Sequence, residues 1–514
     1  MSEVPDNTRQ AALANLTLLV ASYAFRLPPL LNARSTNSDA AVVGLQAMHV
    51  LRGELSPFLW GSGYQTSADS MVAALFFVIL GPSPVVLMLS ALTLHVVATF
   101  LVFATLRRRF EPWLALLCTM PLVVSPSSVH SYALYPPRQL SLTLALAAMC
   151  AIDRAMGGTK RARWLALGGM LATLAVAADP YPMVVLPIVA LYGGLVAWWE
   201  GDGEGEGERR GRAKRIGALV AGAVVGLGPF WGLHRLAGAK SGPMGLTTAM
   251  VHHHWRLLVD ECLPWALSYK VYFARDVMDY RPWEAPTAFT ALGTLGALVV
   301  GACVAFGLVA VRSEMPARVR LLGFAGACTF PVAIGAFLVS VMVMDHFSMR
   351  YLAVLTLMLP FALVPAAQAL GRRNFALVIA PHLVASAIAG WVGYGPFVNG
   401  IVPVRETPEL RDDYTLFATL RGRGLRYATA DYWASYRLTY LFREEIVVVP
   451  TNPAEDRYAP HRRAFEAERV FAYVFDPGRS REDLATTEAD LRRANEAVEV
   501  VKAGGLTVLV VTRR

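Results

Sequence analysis

The chain has 514 residues, 55% of them hydrophobic and only 17% charged, with a mean hydropathy of +0.44. Soluble proteins of this length are not that apolar, so the composition excludes a soluble enzyme and makes the chain an integral membrane protein. The formal charge of +9 does not indicate a nucleic-acid partner, because the basic residues come as short runs between apolar segments and not as a stripe interleaved with aromatics.

A membrane span needs about 20 largely apolar residues. That rule picks out about eleven segments, near residues 11–31, 84–106, 112–127, 139–153, 164–178, 182–199, 216–236, 287–311, 321–343, 351–370 and 374–395. The first lacks an A-x-A-like cleavage site and is too long for a signal-peptide core, so it reads as an anchor. Basic residues fall on alternate connections: Arg107-Arg108-Arg109, then Arg154 with Lys160, Arg161 and Arg163, then Arg209 to Arg215, then Arg312, Arg318 and Arg320, then Arg372-Arg373. All five connections fit one cytoplasmic side, which puts the amino terminus inside and, with an odd number of spans, the carboxyl-terminal part outside. The acidic, Gly-rich run Glu200 to Glu208 is a flexible cytoplasmic linker on this topology. Cys118, Cys150, Cys262, Cys303 and Cys328 are odd in number and form no CxxC pair, so neither a disulfide framework nor a zinc ribbon follows.

The loops left on the outer side are 34–83, 128–138, 179–182, 237–286 and 344–350, and they collect the unusual residues. In the first, Asn37 or Ser38 can cap a helix in which Ala40, Val43, Ala47, Val50 and Leu51 form an apolar stripe. Asp39, Gln46 and His49 then share a sector of roughly a quarter turn at 100° per residue. This reads as a helix lying at the bilayer surface and presenting one carboxylate; the bland alternative is that Asp39 only charges a helix N-terminus. Residues 67–80 are apolar but too short to span, and read as a second interfacial helix. Tyr64 and Gln65 lie in the Gly- and aromatic-rich turn between the two, and Glu54 and Asp69 are further acids of the same loop.

The later loops carry His130, Tyr132, Tyr135, Arg138 and Gln139, and then Asp345, His346, Arg350 and Tyr351. Ionisable groups at a membrane boundary are functional candidates, with headgroup snorkelling the alternative for the two arginines. His252-His253-His254 precedes Asp260-Glu261, but three consecutive histidines on a helix cannot face one ion, so the run reads as a solvated surface and no metal ligands are assigned.

After Pro396 the apolar runs shorten and charge rises, which divides the chain into a membrane domain, 1–395, and an α/β domain, 396–514. Residues 425–430, 446–450, 470–475, 497–502 and 506–513 read as strands and 432–443, 462–468 and 481–496 as helices between them. This pattern predicts an open sheet with a hairpin turning at Ala503-Gly504-Gly505. No nucleotide-binding glycine motif is present. The aromatic run Asp431 to Arg437 suits either a sugar or packing onto the rest of the protein.

Several of these residues carry a resemblance. The first span, Ser38-Asp39, the run Leu51-Arg52-Gly53-Glu54 through Trp60-Gly61-Ser62-Gly63-Tyr64, and Leu80-Gly81-Pro82-Ser83 resemble the polyprenyl-phosphate-sugar glycosyltransferases of GT-C fold. That group includes bacterial relatives of the protein mannosyltransferases and of the lipid A aminoarabinose transferases. Ser348-Met349-Arg350-Tyr351-Leu352 with Pro360 is similar to the Arg-Tyr entry into a late span, and Asp431-Tyr432-Trp433 to Tyr440-Leu441 resembles an outer domain of some bacterial members. The resemblance implies a mainly α, polytopic fold in the bacterial cytoplasmic membrane with an outer α/β domain. It further implies sugar transfer from a polyprenyl-phosphate-linked donor to a glycan, lipid or protein acceptor, with membrane lipids as surroundings.

Asp39 matches the family's first-loop acid, the catalytic base. Many members follow that acid with a second one where this chain has Ala40, which argues against a metal-dependent version; a divalent metal stays open as the only cofactor. Arg350 and Arg138 suit the donor phosphate, and Tyr64, Tyr135, His49, Gln65 and Tyr351 complete the candidate substrate contacts. A single carboxylate with direct displacement implies inversion at the sugar carbon. The competing readings are a transporter or flippase of lipid-linked sugars, which internal repeats and midplane charges would mark, and a catalytically silent scaffold.

Overall fold

The structure is a computed structural model that describes residues 7–31, 33, 36–125, 138–157, 160–199, 206–237, 246–274, 280–282, 284–397, 408–477, 480 and 483–513. The described residues form two compact units: the first is built from the chain before Pro29 and from Ala91 to Phe397, the second from Pro29–Ser90 and the chain after Phe397. Residues 29–90 compact with the carboxyl-terminal segment, because helix Ser38–Leu51 is covered by helix Tyr432–Leu441 in a shared apolar cluster.

The first unit is a helix assembly in which helices stand at all of the expected segments. Among the described residues, four helices, Pro84–Leu106, Thr287–Arg312, Ala317–Val339 and Val364–Val392, are long and apolar enough to cross a membrane. The expectation of about eleven spans is therefore met by four on length and composition. The segment 11–31 is broken between helices Asn7–Ala24 and Leu27–Leu31, helix Ala353–Ala362 has only 10 residues, and the chain from Val364 to Phe397 is kinked at Gly371, where φ is 67°. Local chemistry sets several starts. The Glu111 carboxylate accepts the amides of Trp113 and Leu114 at 2.9 and 3.0 Å ahead of helix Pro112–Val123, and Asp345 and Ser348 form a capping box.

Small residues set the closest packing in this unit. Gly222 and Gly226 of helix Glu206–Ala237 lie against helix Arg161–Ala178, where a Cβ at Gly222 would stand 1.9 Å from the Ala166 carbonyl oxygen. Thr173 Oγ1 donates to the Ala223 carbonyl across the same contact at 2.9 Å, which is how helices associate where no water drives burial. A polar knot closes one end of the unit: the buried Asp153 carboxylate takes Arg108 at 3.0 Å, Arg109, and the Tyr192 hydroxyl at 2.7 Å.

The short strands β1 (Tyr272–Ala274) and β2 (Tyr280–Pro282) pair antiparallel in the first unit, and the second unit holds a five-stranded sheet in the order β4 (Val447–Pro450), β3 (Tyr427–Ala430), β5 (Val470–Phe475), β7 (Leu506–Thr512), β6 (Ala497–Ala503). β3 runs parallel to both neighbours, whereas β7 is antiparallel to β5 and joins β6 in the expected hairpin, with Gly504 at φ 62° in the turn. Helices Tyr432–Leu441 and Ala459–Ala467 follow β3 and β4 in the chain, and helix Leu484–Arg493 precedes β6. Thr439 ties its helix to β4, exchanging hydrogen bonds with the Val448 amide and carbonyl at 2.8 and 2.9 Å.

Helix Ser38–Leu51 is buried continuously from Ala40 to His49, so it is a core helix of this unit and not one with a single apolar stripe. Gly44 permits that packing: a Cβ there would lie 2.7 Å from the Tyr440 ring. Helix Ala68–Leu80 covers another side and leaves Leu75, Val78, Ile79 and Leu80 exposed.

Replacing Asp153 by Ala is expected to strand Arg109 without its carboxylate and to cost about 3–5 kcal/mol, read as a lower midpoint of thermal unfolding in detergent. An unchanged midpoint would mean that the knot does not hold the helices together.

Candidate functional site

Asn37 is the N-cap of helix Ser38–Leu51, its side-chain oxygen accepting the Ala40 amide at 2.8 Å. Asp39 is thereby released from capping. Its Oδ1 accepts the Tyr432 hydroxyl at 2.5 Å and lies 3.9 Å from Arg457 Nη2, while its side chain is 47% exposed. Both contacts are to Oδ1, and no partner of Oδ2 is found among the described residues.

The partners are themselves fixed. Arg457 Nε donates to the Tyr432 hydroxyl oxygen at 3.2 Å and Nη1 to the Gly61 carbonyl at 3.2 Å, and the Arg457 amide donates to the Tyr436 hydroxyl. Ser38 Oγ donates to the Tyr432 carbonyl at 2.6 Å, which docks the start of one helix on the start of the other. Burial first, and then the Asp39 charge, push the Tyr432 phenol far above its ordinary range against the opposing effect of Arg457, so Tyr432 stays a donor. Burial opposes the Arg457 charge, but Tyr432 and Asp39 outweigh it and strengthen that charge. The result is one half-exposed carboxylate held on one oxygen by a phenol and a guanidinium.

Ala40 is fully buried in the cluster that contains Tyr432 and Tyr436. A second acid at this position would point into that apolar cluster, so the single carboxylate follows from the packing.

At the other end of the same helix, His49 is buried with both ring nitrogens on carboxylates: Nδ1 is 2.7 Å from Glu54 Oε2 and Nε2 is 2.6 Å from Glu444 Oε1. His461 Nε2 reaches Glu444 Oε1 at 3.1 Å, and Arg52 Nη1 lies 2.7 Å from Glu444 Oε2. Burial works against the charge on His49, but the hydrogen bonds and charges of Glu444 and Glu54 outweigh it and raise the imidazole. Burial likewise acts to raise Glu444, but hydrogen bonds from His461 and His49 hold it well below the carboxylate range. The stacked rings of Trp60 and Tyr458, 3.9 Å apart, wall the cluster. Tyr64 is half-exposed in the turn after Trp60; Gln65 is buried, its amide donating to Ser62 Oγ at 3.2 Å.

Arg138, Arg350 and Tyr351 belong to the first unit and join in one chain of contacts. Arg138, in left-handed backbone at φ 102°, pairs with Asp179 at 3.3 Å, and the other Asp179 oxygen accepts the Tyr181 amide at 2.7 Å. The Tyr181 hydroxyl reaches the carbonyls of Arg350 and Tyr351 at 3.0 and 3.1 Å. Arg350 is exposed, with its guanidinium 5.2 Å from the Tyr351 ring centre. Tyr135, His130 and Tyr132 lie outside the described residues. His253 and His254 of helix Thr248–Leu257 reach different main-chain oxygens, Met344 at 3.4 Å and Leu338 at 2.9 Å.

Sequence reasoning did not single out Tyr432, Arg457, Glu444, His461, Asp179 or Tyr181 as site residues. Asp39 and Tyr432 are 393 positions apart, and no local pattern announces such a pairing.

No protein-family model matches the chain, and no curated protein does. Among solved structures it is similar to ArnT from Cupriavidus metallidurans in the apo state, with a TM-score of 0.59 at 11% identity, covering 98% of each chain. ArnT from the same organism bound to undecaprenyl phosphate gives 0.58 at 11%, again with 98% of each chain covered. The oligosaccharyltransferase of Archaeoglobus fulgidus, in a complex with Zn and sulfate, gives 0.48 at 10%, covering 90% of this chain and 67% of that one. The fold is thus the ArnT-like, GT-C architecture that the resemblance implied.

Tyr432→Phe removes the hydroxyl from Asp39 and Arg457 while keeping the ring. It is expected to cost about 0.5–1.5 kcal/mol of stability, measured by thermal unfolding of the purified protein, and a neutral effect would show that the phenol does not hold the carboxylate.

Proposed function

We propose that the chain, starting from its GT-C architecture, is a membrane glycosyltransferase. It moves a sugar from a polyprenyl-phosphate donor to a hydroxyl of a glycan, lipid or protein acceptor on the outer face of the bacterial cytoplasmic membrane, with Asp39 as base. The observation that carries this reading is the Asp39 carboxylate itself, fixed through Oδ1 and exposed on the other side. The likeness over 98% of the chain to a structure bound to undecaprenyl phosphate supports the class of donor.

The chemistry asks little of the protein. The sugar already carries a good leaving group, so the site must orient the acceptor, take its proton and receive the phosphate. The acceptor oxygen attacks the anomeric carbon as its bond to the phosphate oxygen breaks. The bonding pair leaves with the polyprenyl phosphate, and the hydroxyl proton passes to Asp39 Oδ2. Tyr432 and Arg457 keep the carboxylate in place during the transfer. Arg350 is assigned to the departing phosphate, since a planar guanidinium pairs two phosphate oxygens at once. Arg138, paired with Asp179, has the same chemistry and is the second candidate for that phosphate. Tyr64 and Tyr351 are the aromatic faces assigned to sugar or acceptor. Two carboxylates about 5 Å apart would favour a covalent, retaining route; with Ala40 beside Asp39, displacement is direct and the sugar carbon inverts.

Asp39→Asn is expected to lower transfer from a polyprenyl-phosphate sugar by about 10²–10⁴-fold at normal expression, and full activity in that variant removes Asp39 as the base. Arg350→Ala is expected to raise the KM for the donor by about 10- to 100-fold, the loss of one charge-assisted contact; an unchanged donor dependence rules out its phosphate role. Transfer by purified protein in detergent, with no sealed membrane, separates this function from flipping.

A further inference from the structure

We infer that His49, Glu444 and His461 form a site for one divalent transition cation, zinc by its ligand set, at the opposite end of the helix from Asp39. The three side chains come from the last turn of helix Ser38–Leu51, from the turn before β4, and from the first turn of helix Ala459–Ala467. One ligand atom from each lies within 4.8 Å of the other two, with Glu444 Oε1 2.6 Å from His49 Nε2 and 3.1 Å from His461 Nε2. A tetrahedral cation with bonds of about 2.0–2.1 Å separates its ligand atoms by about 3.4 Å, so small side-chain rotations admit it. Two imidazoles and one carboxylate are a zinc donor set, with the fourth position left for water.

The surroundings point the same way. His49 Nδ1 faces the Glu54 carboxylate at 2.7 Å, the arrangement that fixes a metal-bound imidazole with its other nitrogen toward the ion. His461 Nδ1 has no hydrogen-bond partner among the described residues, so the hydrogen bonding of that ring runs through Nε2, while Tyr458 packs edge-on against it. Arg52 against Glu444 Oε2 orients the carboxylate and leaves Oε1 for the ion. The ligand side chains are 7%, 10% and 11% exposed, and Trp60 and Tyr458 exclude water from one side. Binding displaces the proton between His49 Nε2 and Glu444 and the one between His461 Nε2 and Glu444; each ring keeps a single proton at Nδ1, and any proton beyond those two leaves to solvent.

Ten residues of helix, about 15 Å, separate His49 from Asp39. The cation therefore has a structural role: it pins the end of the helix that carries Asp39 to the turn and helix flanking β4.

The full-length protein in detergent, stripped with a chelator and re-equilibrated with limiting Zn2+, is expected to retain one equivalent by elemental analysis. Co2+ in its place should give the visible spectrum of a tetrahedral site. Glu444→Gln and His461→Ala should each weaken retention by more than about 100-fold, and Glu54→Gln, on a half-exposed residue hydrogen-bonded to His49 Nδ1 and Tyr458, by about 10-fold. His252→Ala with His253→Ala should change nothing. Zinc that is not retained, that survives Glu444→Gln, or that is lost with the His252 and His253 pair overturns the site. The Co2+ spectrum of the unaltered protein decides the matter if the ligand variants fail to fold, since its absence also overturns it. None of these readouts depends on sugar transfer.

Discussion

The docking of helix Ser38–Leu51 on helix Tyr432–Leu441 is the contact on which the second unit depends. Ser38 Oγ sits against the Tyr432 and Trp433 carbonyls and also accepts the Arg437 amide, so one hydroxyl fixes the starts of both helices. Six residues along, Gly44 lets the Tyr440 ring approach closer than any side chain would allow. Between these points lies a continuous apolar seam, with Val43, Ala47, Tyr432 and Tyr436 in one buried cluster. The seam brings together stretches almost 400 residues apart, and its two ends are where polar chemistry concentrates.

On the proposed mechanism, that geometry accounts for a single acid at the Asp39 end. Position 40 is committed to the core, while position 39 reaches a phenol and a guanidinium that grip one oxygen. A carboxylate so held would lose little freedom on meeting an acceptor hydroxyl, as the proposed base requires. At the other end, the largely buried His49, Glu444 and His461 form an ionic cluster with the half-exposed Glu54 and Arg52, in which an unpartnered buried group would be costly. The helix is thus clamped at both ends, and the position of Asp39 is a property of the whole unit.

Much of this was legible in the sequence where the signal was local. The five strands of the carboxyl-terminal segment fall where alternation and the Ala503-Gly504-Gly505 turn put them, because side-chain period and turn chemistry are short-range. The helix after Asn37 and the apolar helix 68–80 were likewise visible. The burial of the first of these helices on all sides was not, since Tyr432 and Tyr440, which cover it, follow it by hundreds of residues. Counting spans was also beyond the sequence: apolarity marks the helices, but the break after Ala24 and the kink at Gly371 decide which are continuous. Arg457 and His461 carry no local mark at all, and only the fold brings them to Asp39 and His49.

The central claim is that one carboxylate drives direct displacement at the sugar carbon. It is tested most directly by giving the purified protein a polyprenyl-phosphate sugar labelled with carbon-13 at the anomeric position, with candidate acceptors, and reading the configuration of the product by NMR. The account predicts a product whose anomeric configuration is opposite to that of the donor. A product with the donor's configuration would contradict it, because retention requires an enzyme nucleophile and a second displacement, which the proposed single-carboxylate mechanism does not include.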